Sequence, residues 1–429
     1  MKKIAASVGL VAIGVSTLHT AQGSDMQDSK PWSIAVSLRG FYDDNVNGTK
    51  HDKIDSFGFE VSPTVGFGIS RDQTSVDASY TYSGKYYDHP VNDGSDHWDH
   101  THIFNAGLDH RFNPRNSIAL QNSFVIGQEP DVLRVLDMPT ARYQRIPGDN
   151  IRNYGSIIYN TEVTELLGFE LGYANAYWNY DDELGAAGFV DRASNSGLLD
   201  RLEHRAHIDS RWHFRPETVG ILGYLYTGTD YTGDEVISFD SDTGTFVESD
   251  DRDNRSHAVY AGLEHSFTPT LFGALRAGAQ YADYYGAPDS DDDLTPYVLA
   301  NLRYAYAEES SVQLGVQHAL SASDLVGATT TDFVHDTATT SVYGSIIHRI
   351  MPKLYGTLIG TYQHSTYNGG GPGVDDESTD FFQVGVDLAY RFTPHFSTHA
   401  GYNYDNLDSD LPGYEFSRNR VYIGLTAQY

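Results

Sequence analysis

Apolar and polar residues alternate along most of the chain. Phe57, Phe59, Val61, Val65, Phe67 and Ile69 share one parity; Ser56, Gly58, Glu60, Ser62, Thr64, Gly66 and Gly68 share the other. Pro63 interrupts the run and predicts a bulge. Phe382, Val384, Val386, Leu388, Tyr390 and Phe392 alternate with Gln383, Gly385, Asp387 and Arg391. Ala206, Ile208, Ser210, Trp212 and Phe214 alternate with Arg205, His207, Asp209, Arg211 and His213. A period of two is the signature of a strand with two unlike faces. Here the second face carries charges and glycines strand after strand, as a water-filled lumen requires and a soluble sandwich does not.

The connections alternate as well. Short turns share a spelling: Phe112-Asn113-Pro114, Phe214-Arg215-Pro216, Phe267-Thr268-Pro269 and Phe392-Thr393-Pro394, with Ile350-Met351-Pro352 as a variant. Between them lie long loops at roughly 43–53, 88–97, 130–148, 181–199, 232–252, 285–293, 321–335, 368–378 and 408–417. Such asymmetry suits a barrel whose two ends face different compartments, short turns in the periplasm and long loops outside. The pattern predicts an all-β fold, a transmembrane antiparallel up-and-down barrel of about 18 strands with both termini periplasmic. Upward strands start near Trp32, Thr74, Ser117, Leu166, Glu217, Thr270, Ser310, Lys353 and His395. Downward strands end near Ser70, Phe112, Val163, Phe214, Phe267, Tyr306, Ile350, Phe392 and Tyr429.

Composition agrees. Lys2, Lys3, the apolar run Ile4 to Val15 and the small residues around Ala21-Gln22-Gly23 predict a signal peptide over 1–23. A short segment, 24–31, then precedes a barrel over 32–429, with room for neither a plug domain nor periplasmic repeats. The chain has no cysteine, so it has no disulfide or thiolate chemistry. Mean hydropathy is −0.42, as expected when one face of each strand is wet. Tyrosines number 31 against 4 tryptophans, the composition of an interfacial girdle. The net charge of −30 argues against a nucleic-acid partner.

Three constellations bear on function. The third long loop, Pro130 to Gly148, is apolar and basic, with Arg134, Arg142 and Arg145. Folded into the barrel it would narrow the pore; otherwise it packs on the rim. The second set is basic and on the inner parity: Arg39, Lys85, Arg111, Arg205, Arg211, Arg276, Arg303, Arg349, Arg391, Arg418 and Arg420. Rings of arginine select anions. Asp109, Asp209, Asp387, Glu60, Glu162, Glu170 and Glu264 fall on the same face, however, and could turn those arginines into staples. The third set is His97-Trp98-Asp99-His100-Thr101-His102, where histidines two apart share a face but lack a third zinc ligand. The acidic loops read first as solvated surface. Asp289, Asp291 and Asp293 space oxygens as calcium ligands do, without the glycine and distal glutamate of a calcium loop. No nucleophile motif, cofactor site or metal site is evident, and no enzyme is expected.

The segments Arg39 to Val46, Gly127-Gln128-Glu129-Pro130, Asn160-Thr161-Glu162 and Leu199 to His204 resemble the outer-membrane β-barrel porin family found with exopolysaccharide export genes. The resemblance implies an outer-membrane pore for polysaccharide or small solutes and assigns no site residues. The expected partners are outer-membrane lipid and lipopolysaccharide, the barrel-insertion machinery and components of polysaccharide export. The expected state is a monomer or a trimer. The competing expectation is a structural or adhesive barrel, its lumen closed by salt bridges and its acidic loops binding glycans or divalent cations.

Overall fold

The computed structural model describes residues 30–90, 96–127, 133–134, 141–142, 149–181, 195–233, 235–240, 245–285, 293–323, 334–371, 373–411 and 415–429. In chain order the elements are β1 (Trp32–Asp43), β2 (Ser56–Ser70), β3 (Thr74–Tyr87), β4 (Trp98–Asn113), β5 (Asn116–Gly127), β6 (Leu133–Arg134), β7 (Ala141–Arg142), β8 (Asn150–Glu162) and β9 (Leu167–Tyr180). A short helix α1 (Asn195–Leu199) leads to β10 (Arg201–Arg215), β11 (Thr218–Tyr231), β12 (Val236–Asp240) and β13 (Thr245–Glu248). A 3-10 turn at Ser249–Arg252 precedes β14 (Asn254–Thr268), β15 (Leu271–Asp283), β16 (Asp293–Ala307), β17 (Ser310–Ser321) and β18 (Val334–Met351). The last four are β19 (Leu354–Gly369), β20 (Ser378–Thr393), β21 (Phe396–Ser409) and β22 (Phe416–Gln428).

Eighteen of these strands form one antiparallel sheet, and β6/β7 and β12/β13 are separate hairpins within loops. Each barrel strand pairs with its neighbours in sequence, and β1 pairs with both β2 and β22, so the sheet closes. Tyr429 and Ile34 exchange two backbone hydrogen bonds at that seam. Every expected upward start and downward end lies within one residue of the observed boundary. The bulge expected at Pro63 is absent. Pro63 sits in unbroken register opposite Val36, and the β3 ladder skips Ser62 and Pro63 but resumes in the same register. A proline lacks only the donor for one neighbour, so the strand loses a rung without bending.

Bulges recur at the periplasmic turns, with one more at the extracellular start of β18 between Val334 and Asp336 and one in the β12/β13 hairpin. His213 pairs with Val219 and Arg215 with Thr218, which leaves Phe214 unmatched. Phe112, Phe267, Ile350 and Phe392 are left over in the same way. Proline after the bulge occupies the first central position of a two-residue turn, where its fixed φ suits the backbone. Tyr306 is also bulged, but its turn has no proline and Glu309 adopts a positive φ of 51°. Each turn bulge sets an apolar side chain outward at the membrane edge: Phe112, Phe214 and Phe267 are more than half exposed.

The outward parity is apolar around the ring, with Leu222, Leu263, Leu275, Val386, Leu388 and Ile423 all exposed. Toward the other edge lies a band of tyrosines, each hydrogen-bonded to a side chain on the next strand. The pairs are Tyr80–His102 at 2.9 Å, Tyr82–His100 at 2.8 Å, Tyr173–His204 at 2.8 Å, Tyr224–His257 at 2.7 Å, Tyr362–Asp380 at 2.7 Å and Tyr402–Asn419 at 2.7 Å. On the inner parity, glycines stand opposite tyrosines: Gly223 with Tyr260, Gly315 with Tyr343 and Gly401 with Tyr422. A Cβ at any of these glycines would run into the tyrosine ring, so each ring lies over a glycine against the wall.

Val386 lies near the middle of β20 on the lipid side. Val386→Arg is expected to lower the unfolding free energy in vesicles by about 2–4 kcal/mol. Thr361→Arg, on the lumen side of β19, is expected to cost much less, as read by denaturant titration of tryptophan fluorescence.

Candidate solute pathway

All eleven basic residues assigned to the inner parity do lie on it, on the face opposite the apolar exterior. Their surroundings divide them. Arg39 is ion-paired with Glu60, whose strand neighbour across the ladder is Lys85. Arg418 and Arg420 both reach Asp405, at 3.0 and 2.8 Å. Arg349 binds Glu308 and Glu309 of the adjoining turn, at 3.2 and 3.1 Å. Arg111, Arg205, Arg303 and Arg391 have no carboxylate within 4.0 Å among the described residues.

The densest cluster spans β9, β10, β14 and β15. Arg211 binds Glu264 at 2.6 Å and lies 3.6 Å from Glu170. Arg276 sits 3.3 Å from both Asp209 and Glu264. Tyr260 donates to Asp209 at 2.6 Å, and His207 approaches Glu170 at 3.4 Å. The Asp209 side chain is only 1% exposed. Two guanidinium groups thus serve three carboxylates, and the cluster ties strands that are not adjacent. Its hydrogen bonds are charge-assisted, the stronger class.

The extracellular mouth on this side is covered from within. Trp178 faces inward and is wholly buried. Arg201 stacks on it at 4.1 Å from the ring centroid, donates to Glu203 at 2.8 Å and to the Leu199 carbonyl at 3.0 Å. Glu235, from the next loop, accepts from Ser196 at 2.6 Å and from the Gly197 amide at 3.1 Å, which clasps α1 to that loop. Arg252 lies 4.4 Å over the Tyr231 ring and donates to the Ser323 carbonyl of a third loop. Neither Arg201 nor Arg252 was singled out from sequence. The available signal was Arg201 and Glu203 two apart on one strand face, within the Leu199 to His204 segment.

Two carboxylates at the base of this clasp are perturbed. Asp200 accepts from the Tyr180 amide at 2.7 Å and from Asn179 at 2.9 Å. Burial pushes it up to about 7, against the amide that favours its charged form, and Glu235 adds repulsion. Asp253 accepts from the Tyr231 amide at 2.7 Å. Burial, with Asp230, Asp250 and Asp251 nearby, raises it to about 6.

Arg134 and Arg142 belong to the β6/β7 hairpin, where Leu133 faces Arg142 and Arg134 faces Ala141. Their side chains and Arg145 lie outside the described residues, as do Asp289 and Asp291. Asp293 opens β16 and accepts from Asn368 at 3.3 Å. His100 and His102 share the outward face, and each ring is engaged by a tyrosine. His97 meets the Tyr87 carbonyl at 2.7 Å.

Residues 242–429 match the family model described as "Putative beta-barrel porin 2". The porin-family resemblance holds over that span, although the segments that carried it in the sequence all precede it. No curated protein matches the chain. Among solved structures it is similar to OccAB4 of Acinetobacter baumannii, at 14% identity over 94% of this chain and 99% of that one, with a TM-score of 0.44. It is also similar to OpdL of Pseudomonas aeruginosa, at 15% identity over 92% and 99%, TM-score 0.43. The siderophore receptor PirA of Acinetobacter baumannii is similar at 9% identity over 94% and 81%, TM-score 0.45. The closed antiparallel barrel, its apolar exterior and the porin-family match identify an outer-membrane β-barrel.

Arg276→Met strands Asp209 without a cation and is expected to cost about 3–5 kcal/mol in denaturant unfolding. Asp209→Asn leaves Arg276 with Glu264 and is expected to cost less. Asp200 takes up a proton on folding between its ordinary 3.8 and about 7, and Asp253 does so up to about 6. The clasp is therefore most stable at acid pH, weakens as pH rises through this window and levels off above about 7. Hydrogen exchange at the Tyr180 and Gly197 amides should accelerate over that range beyond its intrinsic rate, and Asp200→Asn should flatten the excess.

Proposed function

We propose that the barrel is a passive channel for hydrophilic solutes, with acidic sugars or an exopolysaccharide chain as its cargo. The observation that carries this reading is the inner wall of a closed ring, which presents polar or charged side chains on most strands and is interrupted by an apolar cluster of Ile221, Leu225, Ala258, Tyr260 and Tyr297. A lumen so lined keeps water and solvates sugars, which need hydrogen-bond partners along their path. The family description over residues 242–429, a β-barrel porin, supports the same class. Lipopolysaccharide around the wall, the insertion machinery during assembly and an export apparatus on the periplasmic side are the partners this reading entails. The working unit would be a monomer or a trimer, and the reading is non-enzymatic.

One observation favours the second reading, a structural or adhesive barrel with a closed lumen. Arg39, Arg211, Arg276, Arg418 and Arg420 are held by inner-wall carboxylates, and extracellular loops cover Trp178 and Arg201. Salt-bridge staples and a covered mouth are what a plugged barrel needs.

Planar-bilayer recording of the refolded mature protein separates the two. The channel reading expects discrete open steps in potassium chloride. A heat-modifiable, fully folded barrel that stays silent would overturn it and turn attention to glycan or cation binding by the acidic loops.

A further inference from the structure

Among the described residues, four inner-wall arginines lie within 4.0 Å of no carboxylate: Arg111 on β4, Arg205 on β10, Arg303 on β16 and Arg391 on β20. In the ring order β4, β10, β16 and β20 follow one another at four-strand steps, and the step from β20 to β4 across the seam is six strands. Three stand near the periplasmic ends of their strands. Arg111 and Arg391 immediately precede the bulged Phe112 and Phe392 at the periplasmic turns. Arg303 lies one inward position further from its bulged Tyr306. Arg205 stands much higher, roughly 25–30 Å along its strand from Phe214 at about 3.3 Å per residue.

We propose that Arg111, Arg303 and Arg391 form an anion-selecting ring at the periplasmic mouth, which draws carboxylate-bearing solutes in from the periplasmic side. The inference rests on the channel reading. An ion-paired arginine presents a passing solute with a dipole, its charge cancelled within the wall. An unpaired one presents a full charge and an open fork of donors that matches a carboxylate. In a narrow aqueous mouth with a low-dielectric wall, that potential is focused into the path. Arg111 and Arg303 are exposed to the lumen. Arg391 packs over Tyr355 at 4.5 Å from the ring centroid, while Glu309 is taken by Arg349 and by the Tyr355 hydroxyl. Arg303 faces Phe272 and Gln313 across its two ladders. Asp109 stands one inward position above Arg111 with Asp77 close to it, so the β4 corner contributes least. The opposite mouth is bordered by acidic loop segments such as Asp250 and Asp251, and at the periplasmic rim Glu308 and Glu309 are ion-paired with Arg349.

The test compares the whole mature protein with its triple variant R111Q/R303Q/R391Q and with R111K/R303K/R391K, each first shown folded by heat-modifiable mobility. In a salt gradient the wild type should favour chloride. The glutamine triple should lose that preference by on the order of threefold in permeability ratio, and the lysine triple should keep it. A galacturonic-acid oligomer should block the wild type at lower concentration from the periplasmic side, and the glutamine triple should lose that sidedness. A glutamine triple that conducts with the wild-type ratio overturns the ring and leaves the channel standing. A folded wild type that does not conduct overturns the channel reading, and the ring with it.

Discussion

Within the hydrocarbon of a membrane no water is available to a backbone amide, so each N–H and C=O of a crossing segment must find its partner on another strand. Every other feature of this protein follows from meeting that demand with a sheet that has no edge. The seam between β1 and β22, including the two hydrogen bonds between Ile34 and Tyr429, is where the demand is finally met. Once the ring is closed, each side chain has only two destinations, lipid or lumen. The parity of a residue then decides its chemistry.

On the lipid side the protein satisfies its polar atoms before they reach the bilayer. Tyrosine hydroxyls of the upper band bond histidine, aspartate or asparagine on the adjoining strand, so the girdle is also a set of cross-strand clips. On the lumen side the same economy appears in charge. Arg211 and Arg276 share three carboxylates, and Asp405 alone serves Arg418 and Arg420. Such networks hold a curved wall in register, and the charge of each arginine they use is balanced within the wall.

Strand positions were legible in the sequence because period-two alternation and the Phe-x-Pro turn are both local. Each can be read within a dozen residues. What the turn peptide did not disclose is that its phenylalanine is a bulge, since that depends on the partner strand skipping a rung. Nor did Pro63 bend its strand, because one missing donor is tolerated where the other neighbour still pairs. The set of inner arginines was legible from parity, but the division into paired and unpaired was not. Arg211 meets a carboxylate two strands away, 53 residues along the chain, and that contact depends on register and side-chain reach together. The clasp of α1 on Glu235 was invisible for the same reason: neither Ser196-Gly197 nor Glu235 carries a local signal for the other.

The glycine–tyrosine pairs of the inner wall have a consequence for the shape of the passage. A tyrosine that stood away from the sheet would project its full length into the bore. Opposite Gly223, Gly315 and Gly401 the ring can instead lie down over the bare backbone of the neighbouring strand. The bore then loses only the thickness of an aromatic plane. The wall gains flat, slightly polar tiles in place of projecting rings.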